Sequence, residues 1–167
     1  MQNAKDTFYV TLRNRLAAVS PESVCVVRGV ARPAILVEEN ELELSEVVSG
    51  AFRLRWTKRS SDHAENAVLD TALCEIRYGA ADAAAPYAMG RGRELSAIEV
   101  LLDAILCPGF GLKQSYSEAS GMSAGTAMGN PCGTNVFWRE AEPRVTNKDG
   151  SRMAVVAVMA YREGGDL

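Results

Sequence analysis

The segment Gly90-Arg91-Gly92-Arg93 combines two residue types that could together bind an anion. Glycine has no side chain, so its backbone amide is accessible to a ligand. A helix N-terminus attracts anions, and arginine can form hydrogen bonds with phosphate oxygens. The pattern is neither a Walker A loop, since its lysine is missing, nor a dinucleotide-binding fingerprint. We therefore favour a flexible lead into a helix, and an anion site near the start of that helix remains the alternative.

The only histidine, His63, lies within Ser60-Ser61-Asp62-His63. Serine, aspartate and histidine together suggest a catalytic triad. Triad residues converge in space from separate rigid elements, and neighbours on one loop seldom reach that geometry. We therefore interpret this stretch as a polar connection and expect no catalytic residue in the chain, which predicts that the protein is not an enzyme.

Acidic and cysteine residues give no metal signature. Several glutamates could hold a divalent cation, but the Asp-x-Asp-x-Asp-Gly spacing of a calcium loop is absent, which favours a solvated acidic segment. The cysteines form no Cys-x-x-Cys pair, so a zinc site is not indicated. We expect no metal and no cofactor. The glutamates are Glu38, Glu39, Glu41 and Glu43, and the cysteines are Cys25, Cys74, Cys107 and Cys132.

Composition favours one ordinary globular domain over residues 1–167. The formal net charge is −3 and the pI about 5.3, so no global attraction to nucleic acid is expected. No apolar run reaches the ~18–20 residues of a membrane helix. The segment Met1–Asp6 is polar and has no signal-peptide core, which predicts a cytoplasmic protein without a membrane partner.

Hydrophobic periodicity predicts two helices and several strands. The first helix covers about Ala4 to Ala18 with Asn3 as N-cap, and the second covers about Gly92 to Cys107. The predicted strands are Val24–Val30, Ala34–Val37, Ala51–Lys58, Val68–Tyr78, Thr134–Trp138 and Ser151–Arg162, with Arg59–Asn66 as a polar connection. The order α-β-β-β-β-α-β-β predicts an α+β fold whose mostly antiparallel sheet packs against both helices.

Two strand patterns predict which faces are buried. Arg53 and Arg55 alternate with apolar residues, which is typical of a half-exposed antiparallel strand. The last strand, Ser151–Arg162, is apolar on both faces, so we expect it at the centre of the sheet.

The segment Phe110–Gly133 is rich in glycine, serine and alanine and contains Met122 and Met128. Compact domains seldom keep structureless loops beyond ~12–15 residues unless these are functional or disordered. We predict a flexible loop or arm at about residues 110–133. An arm that orders against a neighbouring subunit stays open as an alternative.

Three stretches resemble one family, the tail-terminator proteins of long-tailed phages, of the minor tail protein U type. They are Arg28–Glu39 with its Arg-Pro-Ala step, Ala72–Tyr78 with the helix around Leu95–Leu106, and the closing strand Ala154–Tyr161 followed by Arg162-Glu163. Related head–tail connector proteins share the same element order. The chain departs from the small phage members at Arg59–Asn66 and at Phe110–Gly133.

The resemblance implies a homo-oligomeric ring, typically six-fold, that caps the tail tube at the head–tail junction. Its implied partners are copies of itself, the tail tube and head-completion proteins, within a virion, prophage product or phage-like particle. Such a protein has no active site, and its subunit contacts carry the function. We expect these contacts to pair Arg53 and Arg55 with the acidic segment Glu38–Glu46, which includes Glu41 and Glu43, and to use the arm residues Met122 and Met128. The alternative is a small α+β binding module for an anionic molecule near the start of the second helix.

Overall fold

The chain folds into a six-stranded sheet, two long helices and a separate small hairpin. The computed structural model describes residues 1–41, 50–64, 67–80, 88–107, 110–115, 130–147 and 150–163. The helices are α1 (Gln2–Val19), α2 (Glu38–Glu41) and α3 (Ala88–Leu106). The strands are β1 (Val24–Val27), β2 (Val30–Pro33), β3 (Ile35–Val37), β4 (Phe52–Ala64), β5 (Ala67–Tyr78), β6 (Phe110–Ser115), β7 (Asn130–Thr146) and β8 (Arg152–Glu163). The predicted α+β class is confirmed.

The last strand lies inside the sheet, as its two apolar faces predicted. The strand order is β3-β4-β5-β8-β7-β6, so β8 pairs with β5 on one side and β7 on the other. All pairings are antiparallel except that of β3 with β4. Every residue from Ala154 to Val158 is buried. Burial of both faces requires this central position, because an edge strand would expose its apolar side chains.

Both long helices pack on one face of the sheet. Phe8, Leu12 and Leu16 recur at helical spacing on α1 and are fully buried. The Phe8 ring meets the edges of Trp56 and Trp138 at centroid distances of 6.0 and 5.4 Å. The core thus lies between α1, α3 and one side of the strands.

The C-terminus of α3 is fixed by two side chains from other elements. Trp138 Nε1 donates a hydrogen bond to the carbonyl of Leu106 at 2.9 Å. Arg15 donates to the carbonyls of Ile105 and Cys107 at 2.9 and 3.0 Å, and its guanidinium lies over the Trp138 ring at 5.5 Å. These bonds satisfy carbonyls that a helix end leaves without intrahelical partners.

The predicted connection Arg59–Asn66 is wrong for most of its length, because β4 continues to Ala64. A bulge between Trp56 and Lys58 shifts the register, after which Arg59 pairs with Ala72 and Ser61 with Asp70. The strand therefore continues through polar residues. Backbone hydrogen bonds to β5 stabilise this part of β4. Its polar side chains lack the alternation of apolar and polar residues from which a strand is predicted.

The predicted loop at about 110–133 is wrong at both of its ends. Its beginning is β6 and its end is the first part of β7, and the two pair antiparallel. Residues 116–129, including Met122 and Met128, lie outside the described residues. The expected order thus gains β6 here, and earlier in the chain it gains one strand within residues 24–33 and the short helix α2.

Two helix starts differ from the prediction. Asn3 lies inside α1, whose N-cap is Met1 without a side-chain cap bond. Helix α3 begins at Ala88, so Gly90–Arg93 is helical and does not precede the helix. Glycine has a poor helix propensity, which concealed this start, and tertiary packing overrides such propensities.

Residues 24–33 form a separate two-stranded sheet, where we expected one short strand ending at Val30. The strands join through Arg28 and Gly29, whose φ angles are +52° and +79°. Two positive φ angles in a two-residue loop are typical of a type I′ turn, whose twist matches that of a hairpin.

Trp138→Phe tests the bond that holds α3. The substitution leaves the Leu106 carbonyl without its donor, so we expect the free energy of unfolding to fall by about 1–3 kcal/mol. Trp56→Phe is the matched control, because Trp56 packs on the same Phe8 ring and is only half-buried. Urea unfolding of both variants measures the difference. Equal losses would contradict the role of the Trp138 bond.

Candidate functional site

The sheet has a second face, opposite α1 and α3. Arg53 on β4 lies beside Arg77 on β5, which lies beside Met153 on β8. The same rows continue along the three strands, since side chains alternate between faces. We call this surface the open face. Its residues are Arg53, Arg55, Lys58, Ser60, Asp62, Leu69, Thr71, Leu73, Glu75, Arg77, Met153, Val155, Ala157, Met159 and Tyr161.

One half of the open face is apolar. Tyr161 is 46% exposed, and its ring meets Phe137 of β7 edge-on at a centroid distance of 5.9 Å. Met159, Met153 and Leu73 are half-buried. Val155 and Ala157, which lie between the two methionines on β8, are buried, so the exposed apolar surface is centred on Tyr161. Exposed apolar side chains of this kind are found at sites of protein association.

The other half of the open face is cationic. Arg53 stands directly across from Arg77, and like charges in that position destabilise a strand pair. Glu75 relieves part of this repulsion through an ion pair with Arg77 at 3.2 Å. Arg55 is exposed. An acidic partner would therefore stabilise this half more than water does.

The structure brings Arg53 and Arg55 to one face, as predicted, and places Glu41 elsewhere. The Glu41 carboxylate accepts hydrogen bonds from the Tyr9 hydroxyl at 2.8 Å and from the Val37 amide at 3.2 Å, and it forms an ion pair with Arg32. Glu41 is thus engaged within its own subunit.

The other acidic and arm residues have different positions. Glu38 is half-buried and Glu39 is exposed on α2. Glu43, Met122 and Met128 lie outside the described residues. Glu39 is therefore the exposed glutamate of α2, and it is the one available to contact Arg53 and Arg55 of another copy.

A groove of about 340 Å³ lies between α1, α2, β3 and β4. Tyr9 and Trp56 line this groove. The Arg13 guanidinium lies 5.7 Å from the centre of the Tyr9 ring, and the Lys5 ammonium lies 5.0 Å from the centre of the Trp56 ring. Burial and the neighbouring Glu41 carboxylate raise the pKa of Tyr9 to about 12. Each cation already lies on a ring. The Lys5–Trp56 contact joins α1 to β4, the Arg13–Tyr9 contact lies within α1, and the Tyr9–Glu41 hydrogen bond joins α1 to α2.

The residues that suggested catalysis do not form a triad. Ser61 donates a hydrogen bond to the buried Asp70 at 2.5 Å, and Arg59 lies 3.6 Å from the same carboxylate. His63 is exposed on β4, and Asp62 is on the opposite face of that strand. Sequence reasoning missed the Ser61–Asp70 contact because Ser61 was expected in a connection between strands, whereas it lies on β4 opposite Asp70.

The predicted anion segment is part of a helix. Gly92 lies within α3, and its carbonyl accepts a hydrogen bond from Ser96 Oγ at 2.9 Å. The Arg91 guanidinium lies where a Cβ on Gly150 would stand. These residues join α3 to the β7–β8 turn, and the glycines do not form a loop.

Three of the cysteines have described side chains. Cys25 and Cys74 are free thiols and buried, whereas Cys107 is exposed. Burial raises the pKa of the Cys74 thiol, which disfavours the thiolate. Within the described ranges, no group of three or more His, Cys, Asp and Glu side chains could hold a metal ion. No described helix is long and apolar enough to cross a membrane.

Comparison of the chain with models of known protein families gives no match, and comparison with curated proteins gives none either.

The Tyr9–Glu41 contact predicts a loss of stability at alkaline pH. The pKa of Tyr9 is raised from 10.0 to about 12, so the neutral phenol stabilises the fold below pH 10. That stability is lost as the pH rises from about 10 to about 12. Tyr9→Phe should flatten this fall but not abolish it, because burial beside Glu99 also raises the pKa of Tyr78 to about 12.

Urea unfolding at a series of pH values from 8 to 12, taken as roughly spanning the tyrosine range, measures this dependence. Tyr161→Phe, on the exposed end of β8, is the control and should follow the wild type. An unchanged pH slope in Tyr9→Phe would count against the contact.

Proposed function

We propose that the protein is a structural subunit that assembles with copies of itself through the open face, as a tail-terminator-like protein of a phage or prophage. The observation that carries the proposal is a sheet face, uncovered by either long helix, with an apolar half and a cationic half. The resemblance of the element order to tail-terminator proteins supplies the type of assembly. No catalytic step is part of this proposal.

The size of the open face suits part of a protein interface. Three strands about 4.8 Å apart and about 33 Å long present roughly 500 Å² of sheet. A stable interface buries ~800 Å² on each partner. The open face thus supplies more than half of one interface, and neighbouring elements must add the remainder.

The charge on the open face favours a second copy as its partner. Arg53, Arg55 and Arg77 lie close together on two adjacent strands. The chain itself carries an acidic segment that begins with Glu38 and Glu39 on α2. A copy can therefore supply the anions that this cationic surface lacks, which favours correct docking more than it raises affinity.

A ring formed in this way would cap the tail tube at the head–tail junction. Its two ends would then meet the tail tube on one side and head-completion proteins on the other. The open face contacts only neighbouring subunits in this arrangement, so residues outside it contact the tail and the head.

The first test is the solution mass of the protein over a concentration series, by light scattering after size exclusion. We expect assembly beyond a monomer as concentration rises. Met159→Glu places a charge in the apolar half and should keep the protein monomeric, because an unpaired buried charge opposes association. Val100→Glu is the control, since Val100 is 68% exposed on α3 and lies away from the open face. A wild type that stays monomeric throughout would overturn the proposal.

Charge reversal tests the cationic half separately. Arg53→Glu with Arg55→Glu should reduce association at low salt, and the remaining association should depend less on salt than in the wild type. Arg93→Glu, exposed on α3, is the control and should leave both quantities unchanged. Unaltered assembly of the double variant at every salt concentration would exclude a role for the two arginines.

A further inference from the structure

The groove between α1, α2, β3 and β4, which we call the α1 groove, has the size of a small-molecule site. Its volume is about 340 Å³, and ligand pockets typically measure roughly 300–1,000 Å³. The rings of Tyr9 and Trp56 line it together with charged side chains. Ligand pockets generally combine such aromatic walls with a few polar groups that fix the orientation of the ligand. The α1 groove therefore has the composition of a binding site as well as the volume.

Two of the carboxylates in the α1 groove have partners within the subunit. Glu41 forms an ion pair with Arg32. Asp6 accepts a hydrogen bond from Gln2 at 2.8 Å. Burial raises the pKa of the Asp6 carboxyl, while the hydrogen bond from Gln2 and the positive charge of Lys5 oppose this shift. Lys5 thus has a carboxylate nearby, and neither Glu41 nor Asp6 needs a ligand to balance its charge.

One cation and one carboxylate of the α1 groove are left without a counter-charge. Arg13 lies over the Tyr9 ring and forms no ion pair with any residue that the structure describes. A ring attracts a cation through its quadrupole, so Arg13 keeps its charge and its N–H donors. Glu39 is exposed and likewise has no ion-pair partner in the described part of the chain. Both line one groove without meeting each other, so a molecule with an anionic and a cationic group can bridge them.

We propose that the α1 groove binds a free amino acid with an aromatic side chain, in its zwitterionic form. The ligand carboxylate accepts two hydrogen bonds from the Arg13 guanidinium, whose planar fork matches a carboxylate. The ligand ammonium donates to Glu39, and the ligand ring packs against Trp56, since aromatic pairs add attraction beyond the area they bury. The ligand has no net charge, which suits a groove with one unbalanced charge of each sign.

This site does not rest on the proposed self-assembly. Trp56 is on the side of β4 that faces α1, whereas Arg53 and Arg55 are on the open face. Binding can therefore be measured on the monomer, at a protein concentration below that at which assembly begins. Failure of an amino acid to bind would leave assembly through the open face unaffected, and a wild type that never assembles would leave this site unaffected.

The test compares L-phenylalanine with three analogues that each lack one of its groups. 3-Phenylpropionate lacks the ammonium, phenylalanine amide lacks the carboxylate, and L-alanine lacks the ring. We expect an NMR chemical-shift titration to give a Kd on the order of 1 mM for L-phenylalanine. Each analogue should bind about tenfold more weakly, because it leaves one of the three contacts unmade.

Two variants assign the charged contacts. Arg13→Gln should weaken the binding of L-phenylalanine about tenfold and should not weaken that of phenylalanine amide, which has no carboxylate for the guanidinium to hold. Glu39→Gln should likewise weaken the binding of L-phenylalanine and should not weaken that of 3-phenylpropionate. Arg93→Gln and Glu94→Gln are the matched controls, since both residues are exposed on α3, and each should bind L-phenylalanine as the wild type does.

Three outcomes would overturn this inference. One is no binding of L-phenylalanine at ten times the expected Kd, roughly 10 mM. Another is equal affinity for all four probes, which indicates contact without recognition of the charges. The third is a loss in Glu39→Gln that is the same for every probe. Glu39 is exposed, so this variant keeps the test decisive even if Arg13→Gln disturbs the packing on Tyr9.

Discussion

The placement of both long helices on one face of the sheet determines the rest of the structure. Phe8 and its neighbours on α1, together with α3, bury that face, and the central strand β8 lies beneath them. The opposite face keeps Met153, Met159 and Tyr161 at the surface. A sheet with one covered face usually exposes polar residues on the other. Here the exposed face is partly apolar, so removing it from water in a contact with another molecule would be favourable.

The sequence predicted those features that depend on side-chain alternation. Phe52, Leu54 and Trp56 alternate with Arg53 and Arg55, and the structure puts the two sets on opposite faces. The double apolar pattern of the last strand likewise placed it at the centre. In both cases the buried positions require apolar side chains, so the alternation of residue types predicts which faces are buried.

Features that depend on backbone geometry could not be predicted in this way. The bulge after Trp56 changes which side chains face the core, and no residue type marks it. The β1–β2 turn carried a glycine signal at Gly29, but Arg28 with a positive φ concealed the turn. The exposed valines of β1 and β2 were therefore missed, because a short apolar strand is indistinguishable from a buried one by sequence alone.

The Glu41 carboxylate joins the β1–β2 hairpin to the rest of the fold. It holds Tyr9 of α1, the Val37 amide of β3 and Arg32 of the hairpin. Since α1 is packed on the sheet, this joint fixes the hairpin relative to the open face within each subunit. The acidic residue that we expected between subunits is thus engaged inside one subunit, where it fixes the direction in which the hairpin points.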